Sequence, residues 1–319
     1  MRRRTLIASG LGLGAGLPAL AQGGFPNRPI RIVIPAGPGG GTDILARLVT
    51  PKAAALLGTS IVIENRGGGE SLIGTEVVVR APADGHVLLF SDSSPYMARV
   101  LRERMPFDPL TELAPVMRVA TGSVLLYAHP GFGARDIAGL VARARAEPGR
   151  VTFATSSTVS QLIGELLKQR AGFDMTHVPY RSGGQALTDV VSGHVNLTVN
   201  GASNGKPYVQ SGELVALGTA GTARNPALPD VPSFAEQGYP GIPGGSEWCL
   251  LAPAGTPQPV IDQLHAAFRE AAFDAGLAPR MAELGFIPDG MAGGPFLQEK
   301  ARELQLWAQV LAATGIARR

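Results

Sequence analysis

The sequence predicts an α/β protein folded as two lobes, each a mostly parallel sheet flanked by helices. Two observations carry this. Short apolar, β-branched runs alternate with helical segments from Ile30 to Gly218, as parallel sheets covered by helices require. The alternation stalls once, between Ser91 and Val116, and then resumes as a second set, which separates two lobes. At 319 residues the chain is long enough for two cores.

The first set opens with Ile30-Arg31-Ile32-Val33-Ile34, a buried strand. A loop over Pro35–Gly41 leads into a helix with Thr42 as N-cap, running through Leu57 to Gly58, a favourable residue just past a helix end. A strand at Ile61–Glu64, a helix from about Ile73 to Ala81 and a strand at Val87–Phe90 follow. After the Pro-rich pause, strands are expected at Val116–Val119 and Val124–Tyr127, then a helix over Asp136–Ala146. The second set reads strand Val151–Thr155, helix Ser160–Ala171, strand Met175–Val178, helix Gly184–Val191, strand Leu197–Val199, helix Pro207–Gln210 and strand Leu214–Gly218. The tail returns through a strand at Trp248–Ala252, with helices over Pro257–Phe273 and about Pro295–Ala313. The expected division is 1–21 as a signal peptide, 22–122 with 235–319 as the first lobe, and 123–234 as the second.

The leader has its own signature. Arg2, Arg3 and Arg4 precede the apolar run Leu6–Leu20, which ends in Ala19-Leu20-Ala21, the pattern of a secretory signal peptide. Glycines and Pro18 break the run, and it is short for a membrane span. An uncleaved anchor is the competing reading, and Arg3-Arg4 leaves the Sec and twin-arginine routes both open. The expected location is the periplasm. Of 28 basic and 25 acidic residues, the leader takes three Arg and no acid, so the remainder is balanced. A nucleic-acid partner, which needs a cationic surplus, is excluded.

Catalytic sets are missing. Cys249 is the one cysteine, so an internal disulfide and a cysteine zinc site are ruled out; inside an apolar strand beside Trp248 it reads as buried and inert. The five histidines lack metal spacing, and no G-x-S-x-G elbow occurs. No catalytic residue, metal or cofactor is therefore expected.

The Gly-rich stretch Gly37–Gly41 carries the most chemistry. It joins a strand to a helix start, where main-chain N–H groups lack partners and the helix dipole favours an anion. A tight turn that binds nothing is the alternative. No Lys follows Gly41, which excludes a P-loop, and Thr42 replaces the third glycine of a dinucleotide fingerprint, although Glu64 mimics its ribose-binding acid. A carboxylate remains. The second set offers Thr155-Ser156-Ser157-Thr158-Val159-Ser160, with Ser160 or Thr158 as N-cap, and Tyr180-Arg181-Ser182-Gly183, both at strand ends where open sheets bind ligands. Helix capping is the competing role for the hydroxyls.

Several short stretches, in this order and spacing, resemble the Bug family, the extracytoplasmic solute-binding proteins of tripartite tricarboxylate transporters. They are Pro29-Ile30-Arg31-Ile32-Val33, Gly39-Gly40-Gly41-Thr42-Asp43, Glu64-Asn65-Arg66, Pro82-Ala83-Asp84-Gly85, His177-Val178-Pro179-Tyr180-Arg181, Ala227-Leu228-Pro229-Asp230-Val231-Pro232 and Ala252-Pro253-Ala254-Gly255-Thr256-Pro257. The resemblance implies a Venus-flytrap fold of the type II-like periplasmic-binding-protein class. It also implies capture of a small organic acid without catalysis, and delivery to the permease subunits of such a transporter. The implied ligand contacts are Pro35, Ala36, Gly37, Gly39, Gly40, Gly41 and Thr42 from one lobe, and Thr155, Ser156, Ser157, Thr158 and Ser160 from the other. Tyr180, Arg181 and Asn200 are expected along the far wall, in a monomer. A receptor signalling to a sensor kinase, or an exported enzyme on the same fold, are the alternatives. Ala36 stands where the family commonly has an aromatic residue, the second-lobe loop is shorter and lacks its usual glycines, and Asn200 replaces a common acid. Calorimetry should therefore find aspartate and glutamate bound more weakly than plain or aromatic carboxylates.

Overall fold

The computed structural model describes residues 24–69, 71–180, 182–314 and 318; the predicted leader and Arg181 lie outside the described residues. The chain runs β1 (Ile30–Ile34), α1 (Gly41–Leu57), β2 (Ile61–Asn65), α2 (Leu72–Val79), β3 (Val87–Asp92), α3 (Ser94–Leu101) and β4 (Leu113–Ala128). It continues α4 (Ile137–Ala146), β5 (Thr152–Thr155), α5 (Thr158–Ala171), β6 (Thr176–Pro179), α6 (Gly183–Val191), β7 (Leu197–Gly201), α7 (Ala202–Gln210) and β8 (Val215–Thr219). It ends β9 (Gly245–Pro253), α8 (Gln258–Ala272), α9 (Ala278–Glu283), β10 (Ile287–Ala292) and α10 (Gly293–Thr314).

Two sheets meet on one strand. In the first, β2, β1 and β3 are parallel neighbours, β9 lies antiparallel between β3 and β4, and β10 lies antiparallel on β4. Hence β1 to β4 run one way against β9 and β10. In the second, β6, β5 and β7 are parallel, and β4 opposes both β7 and β8. The residues Leu113–Ser123 of β4 pair with β9, and Val124–Ala128 pair with β7 and β8. One continuous strand thus ties the lobes together.

This corrects the expectation of two separate strands in that region. Residues 120–123 fall between the two expected strands, yet the strand runs through them, and Gly122 admits a ring there: a Cβ on it would stand 2.9 Å from Trp248 Cζ3. Glycine inside a strand commonly marks such a close approach. The Pro-rich pause also holds α3, which starts at Ser94 with Pro95 at its first turn, where a missing N–H is harmless. Helix α9 and the irregular β10 likewise lie outside the sequence expectation. The β10 sequence IPDGMA carries Pro288 and Gly290, and its register slips between Pro288 and Met291.

Beside the shared strand sits a buried ionic network. Lys300 of α10 is 1% exposed and is bonded to Glu247 of β9 and Glu303 of its own helix. Arg118 of β4 donates to Asp289 of β10 at 2.9 Å and to Glu299 of α10 at 2.7 Å, and lies 3.5 Å from Glu247. Burial alone would depress the Lys300 pKa, but Glu247 and Glu303 hold it above the ordinary lysine value. Glu247 also accepts from Ser93 Oγ at 3.2 Å, so the network reaches the carboxyl end of β3. Removing one member of such a set strands the others' charge at low dielectric, typically for about 3–5 kcal/mol. Lys300→Met should therefore lower the unfolding free energy by about 3–5 kcal/mol, as read from urea unfolding curves followed by circular dichroism at neutral pH.

Candidate ligand cleft

Strand β1 ends at Ile34, and the loop it feeds reaches α1 through Gly39, whose φ of +81° suits glycine. The N-cap is Gly40, in extended conformation and with no side-chain cap, which corrects the assignment of Thr42. Thr42 is instead buried in the first turn. The helix starts early because Asp43, in that turn, reaches back: its Oδ2 accepts the Gly39 N–H at 2.9 Å. One donor of the expected cradle is therefore occupied by the protein itself. The first intrahelical bond runs from Ile44 N–H to Gly40 O at 2.9 Å, so the N–H groups of Gly41, Thr42 and Asp43 precede the helical ladder.

Asp43 anchors this loop. Its Oδ1 accepts from Arg47 Nε at 2.9 Å and from Asn65 Nδ2 at 3.0 Å, and Asn65 Nδ2 also donates to Ala36 O at 3.3 Å. Arg47 in turn donates to Asn65 Oδ1 at 2.9 Å. The Arg47 hydrogen bond holds the Asp43 carboxyl below the ordinary range, with the Gly39 and Asn65 bonds adding to it against the cost of burial. The sequence expectation does not include Asp43 or Asn65 as working residues. A signal is nonetheless present: an acid two residues past a glycine run, at a helix start, is a capping position.

In the second lobe the N-cap of α5 is Ser157, not Ser160 or Thr158. Its Oγ accepts the Ser160 N–H at 3.2 Å and donates to Ser160 Oγ at 3.0 Å. The helix begins two residues earlier than expected because Ser157 can stay extended while its side chain closes the turn. Thr155 Oγ1 lies 2.8 Å from His177 Nε2, a ring whose burial pushes its pKa down. Ser156 and Thr158 have no hydrogen-bond partner for their hydroxyls among the described residues.

Tyr180 and Asn200 are both bonded to protein partners. The Tyr180 hydroxyl donates to Asp189 Oδ2 at 2.5 Å, and that bond helps push its pKa up to about 12. Asn200, at the end of β7 and 7% exposed, donates to Gly183 O at 2.8 Å and accepts from Gly201 N at 2.9 Å and Asn204 Nδ2 at 3.1 Å. Asn200 thus ties the starts of α6 and α7 together, while Tyr180 is tied to the last turn of α6.

A residue outside the expected set borders the cradle. Trp248 of β9 is half-buried, and a Cβ on Gly41 would stand 3.5 Å from its Cζ2. Phe286 meets the indole edge-on, centroids 4.7 Å apart at 85°. The neighbouring Gly285 faces the start of α7, where a Cβ would lie 3.5 Å from Ala202 Cβ. Strand alternation is the signal for Trp248: Cys249 is fully buried, its thiol pushed up by burial, so Trp248 projects from the opposite face.

The glycine loop and the serines are open: Gly37, Gly39, Gly40, Gly41, Ser156 and Ser157 are exposed. A cavity of about 750 Å³ lies elsewhere, between β4, the start of β9, Gly221–Ala223 and α10, with Arg118, Glu247 and Glu299 on its wall.

Two α/β lobes joined by a shared strand, with helix starts from both facing outward at strand ends, define a two-lobed solute-binding protein. Residues 45–313 match the model of the tripartite tricarboxylate transporter family receptors, and the chain belongs to that family. Protein BugT of Bordetella pertussis is 32% identical over 91% of this chain and 90% of its own. Among solved structures, R. palustris Rpa4515 with adipate superposes at TM-score 0.77 with 30% identity, covering 92% of this chain and 99% of that one. MatC from Rhodopseudomonas palustris with bound malate gives TM-score 0.72 and 30% identity, over 90% of this chain and 100% of that one. Among the described residues no helix is long and apolar enough to cross a membrane.

Asp43 gives the loop a pH signature. A carboxyl whose folded pKa is lowered adds stability above its unfolded value near 4, and that contribution is lost as pH falls through the folded value. The stability gap between the wild type and Asp43→Asn should be constant above about pH 5. It should shrink below about pH 4, as read from urea midpoints across a pH series.

Proposed function

We propose that this protein captures a small organic carboxylate between its lobes and delivers it to the permease of a tripartite tricarboxylate transporter. The observation that carries the reading is the start of α1, where the N–H groups of Gly41, Thr42 and Asp43 precede the helical ladder beside an exposed glycine loop. Such a helix start holds a carboxylate without a charged side chain. Two relatives of similar fold carry dicarboxylates, adipate in one and malate in the other, which supports the ligand class. The family's receptor role supports the permease as partner.

In this reading Pro35–Thr42 and the Thr155–Ser160 loop close on the ligand from opposite sides. The lobes divide at Ser123 of β4 and again after Phe234, whose N–H is bonded to Thr219 O of the second lobe at 2.7 Å. The protein works in the periplasm after loss of residues 1–21. It binds and releases its ligand unchanged, and the hydroxyls of Thr155, Ser157 and Tyr180 serve in caps and strand-end bonds rather than as nucleophiles.

A thermal-shift screen over organic acids tests this. Saturation at about 100 times Kd should stabilise by about 2.7 kcal/mol, a rise of about 5–10 °C for a chain of this size. Gly40→Val is the matching variant. Gly40 has φ −77°, and a Cβ there meets only Gly37 O at 4.0 Å, so the fold should tolerate it while the branched side chain covers the helix start. Its melting temperature without ligand should match the wild type, and its ligand-induced shift should vanish.

A further inference from the structure

We propose that Trp248 is a ligand-binding residue of this cleft, its indole N–H extending the row of main-chain donors and its ring forming the floor under the ligand's carbon body. The proposal rests on the carboxylate-capture reading and deepens it by naming the ligand class: a carboxylate carried on unhydroxylated methylene or aromatic carbon.

The donor is the first argument. Tryptophan N–H can only donate, and a tryptophan packed into a protein normally finds an acceptor. The chain has two tryptophans. Trp307 is fully buried and donates to Glu303 Oε1 at 2.9 Å. Trp248 has no hydrogen bond among the described residues, and its nitrogen is not among the buried unpartnered atoms, so the N–H is open. The Cζ2 edge of that indole, the edge next to its nitrogen, is the one beside Gly41. The indole therefore packs beside Gly41, the first of the three residues whose N–H groups precede the helical ladder.

The ring is the second. Phe286 braces it edge-on, and Gly122 leaves room for Cζ3 and Cη2 at 2.9 and 3.0 Å from where a Cβ would sit. A ring so held is set before the ligand arrives, which limits the ordering cost of binding. Ala36 adds only a methyl group to the loop. The surrounding side chains then decide the ligand class. Thr155, Ser157, Tyr180 and Asn200 spend their polar ends on protein partners, whereas the Ser156 and Thr158 hydroxyls of the same lobe have none among the described residues. The indole face itself offers neither donor nor acceptor, so a ligand hydroxyl lying directly over it would lose water without gaining a partner, and a surface of that kind discriminates against it.

The test uses the mature chain labelled with 15N, in which two indole N–H resonances are expected, assigned with Trp248→Phe. Titration with adipate should move the Trp248 resonance saturably and leave the Trp307 resonance in place. Trp248→Phe, which keeps a ring and loses the donor, should bind adipate about tenfold more weakly. Trp248→Leu should lose a further several-fold for adipate and benzoate, each affinity being measured well below that variant's own ligand-free melting temperature. Malate should bind the wild type at least about tenfold more weakly than adipate. A Trp248 resonance that does not move, with wild-type affinity in Trp248→Phe, overturns the proposal alone. Malate binding as tightly as adipate overturns the assigned ligand class. Failure of adipate, benzoate and malate all to bind the wild type overturns the carboxylate reading itself.

Discussion

Three backbone N–H groups at the start of α1 have no place in the helix's own hydrogen-bond ladder, and the architecture around them keeps them free. A serine or aspartate at the N-cap would have consumed one of them; Gly40 leaves the cap empty. Asp43 satisfies only Gly39, one step outside the helix, and its charge is absorbed by Arg47 and Asn65. The result is a rigid loop whose positive end is not cancelled by its own anchor. In the second lobe the chemistry is different: Ser157 closes α5 in the ordinary way, so that helix start carries a side-chain cap where α1 has only a glycine.

The lobes are joined through β4, and the charged groups beside it explain how a strand shared by two sheets holds its place. Arg118 and Glu247 lie on adjacent strands, and α10 covers them with Lys300, Glu299 and Glu303. Burying several ions is expensive and is offset only when each finds opposite charge at close range. Here they do, and the set ties β4, β9, β10 and α10 into one unit behind Trp248. The adjacent residue Glu247 thereby fixes the backbone from which the indole projects.

Much of this is legible in the sequence, and the misses have physical causes. The alternation of β-branched runs with helical segments places every strand of the two parallel trios, because buried parallel strands need apolar side chains on both faces. Thr42 and Ser160 are the wrong caps because residue preference ranks the candidates, while geometry picks the one whose backbone can stay extended. The continuity of β4 through Gly122 is hidden because the partner of that glycine, the ring of Trp248, lies 126 positions away in sequence. Helix α3 and strand β10 hide behind proline, whose positional meaning emerges only when the neighbouring elements are known. The glycine loop is found by its pattern. Asp43, Asn65 and Trp248, which give that loop its shape and its neighbour, need three-dimensional contacts to stand out.

The sealed state of Cys249 has a wider consequence. Its sulfur is wholly inside the core and kept in the thiol form. No covalent cross-link contributes to holding the described residues together, and the sole sulfhydryl is shielded from oxidants and metals. The native state is thus indifferent to ambient redox potential, and the same fold is attainable with or without an oxidising catalyst.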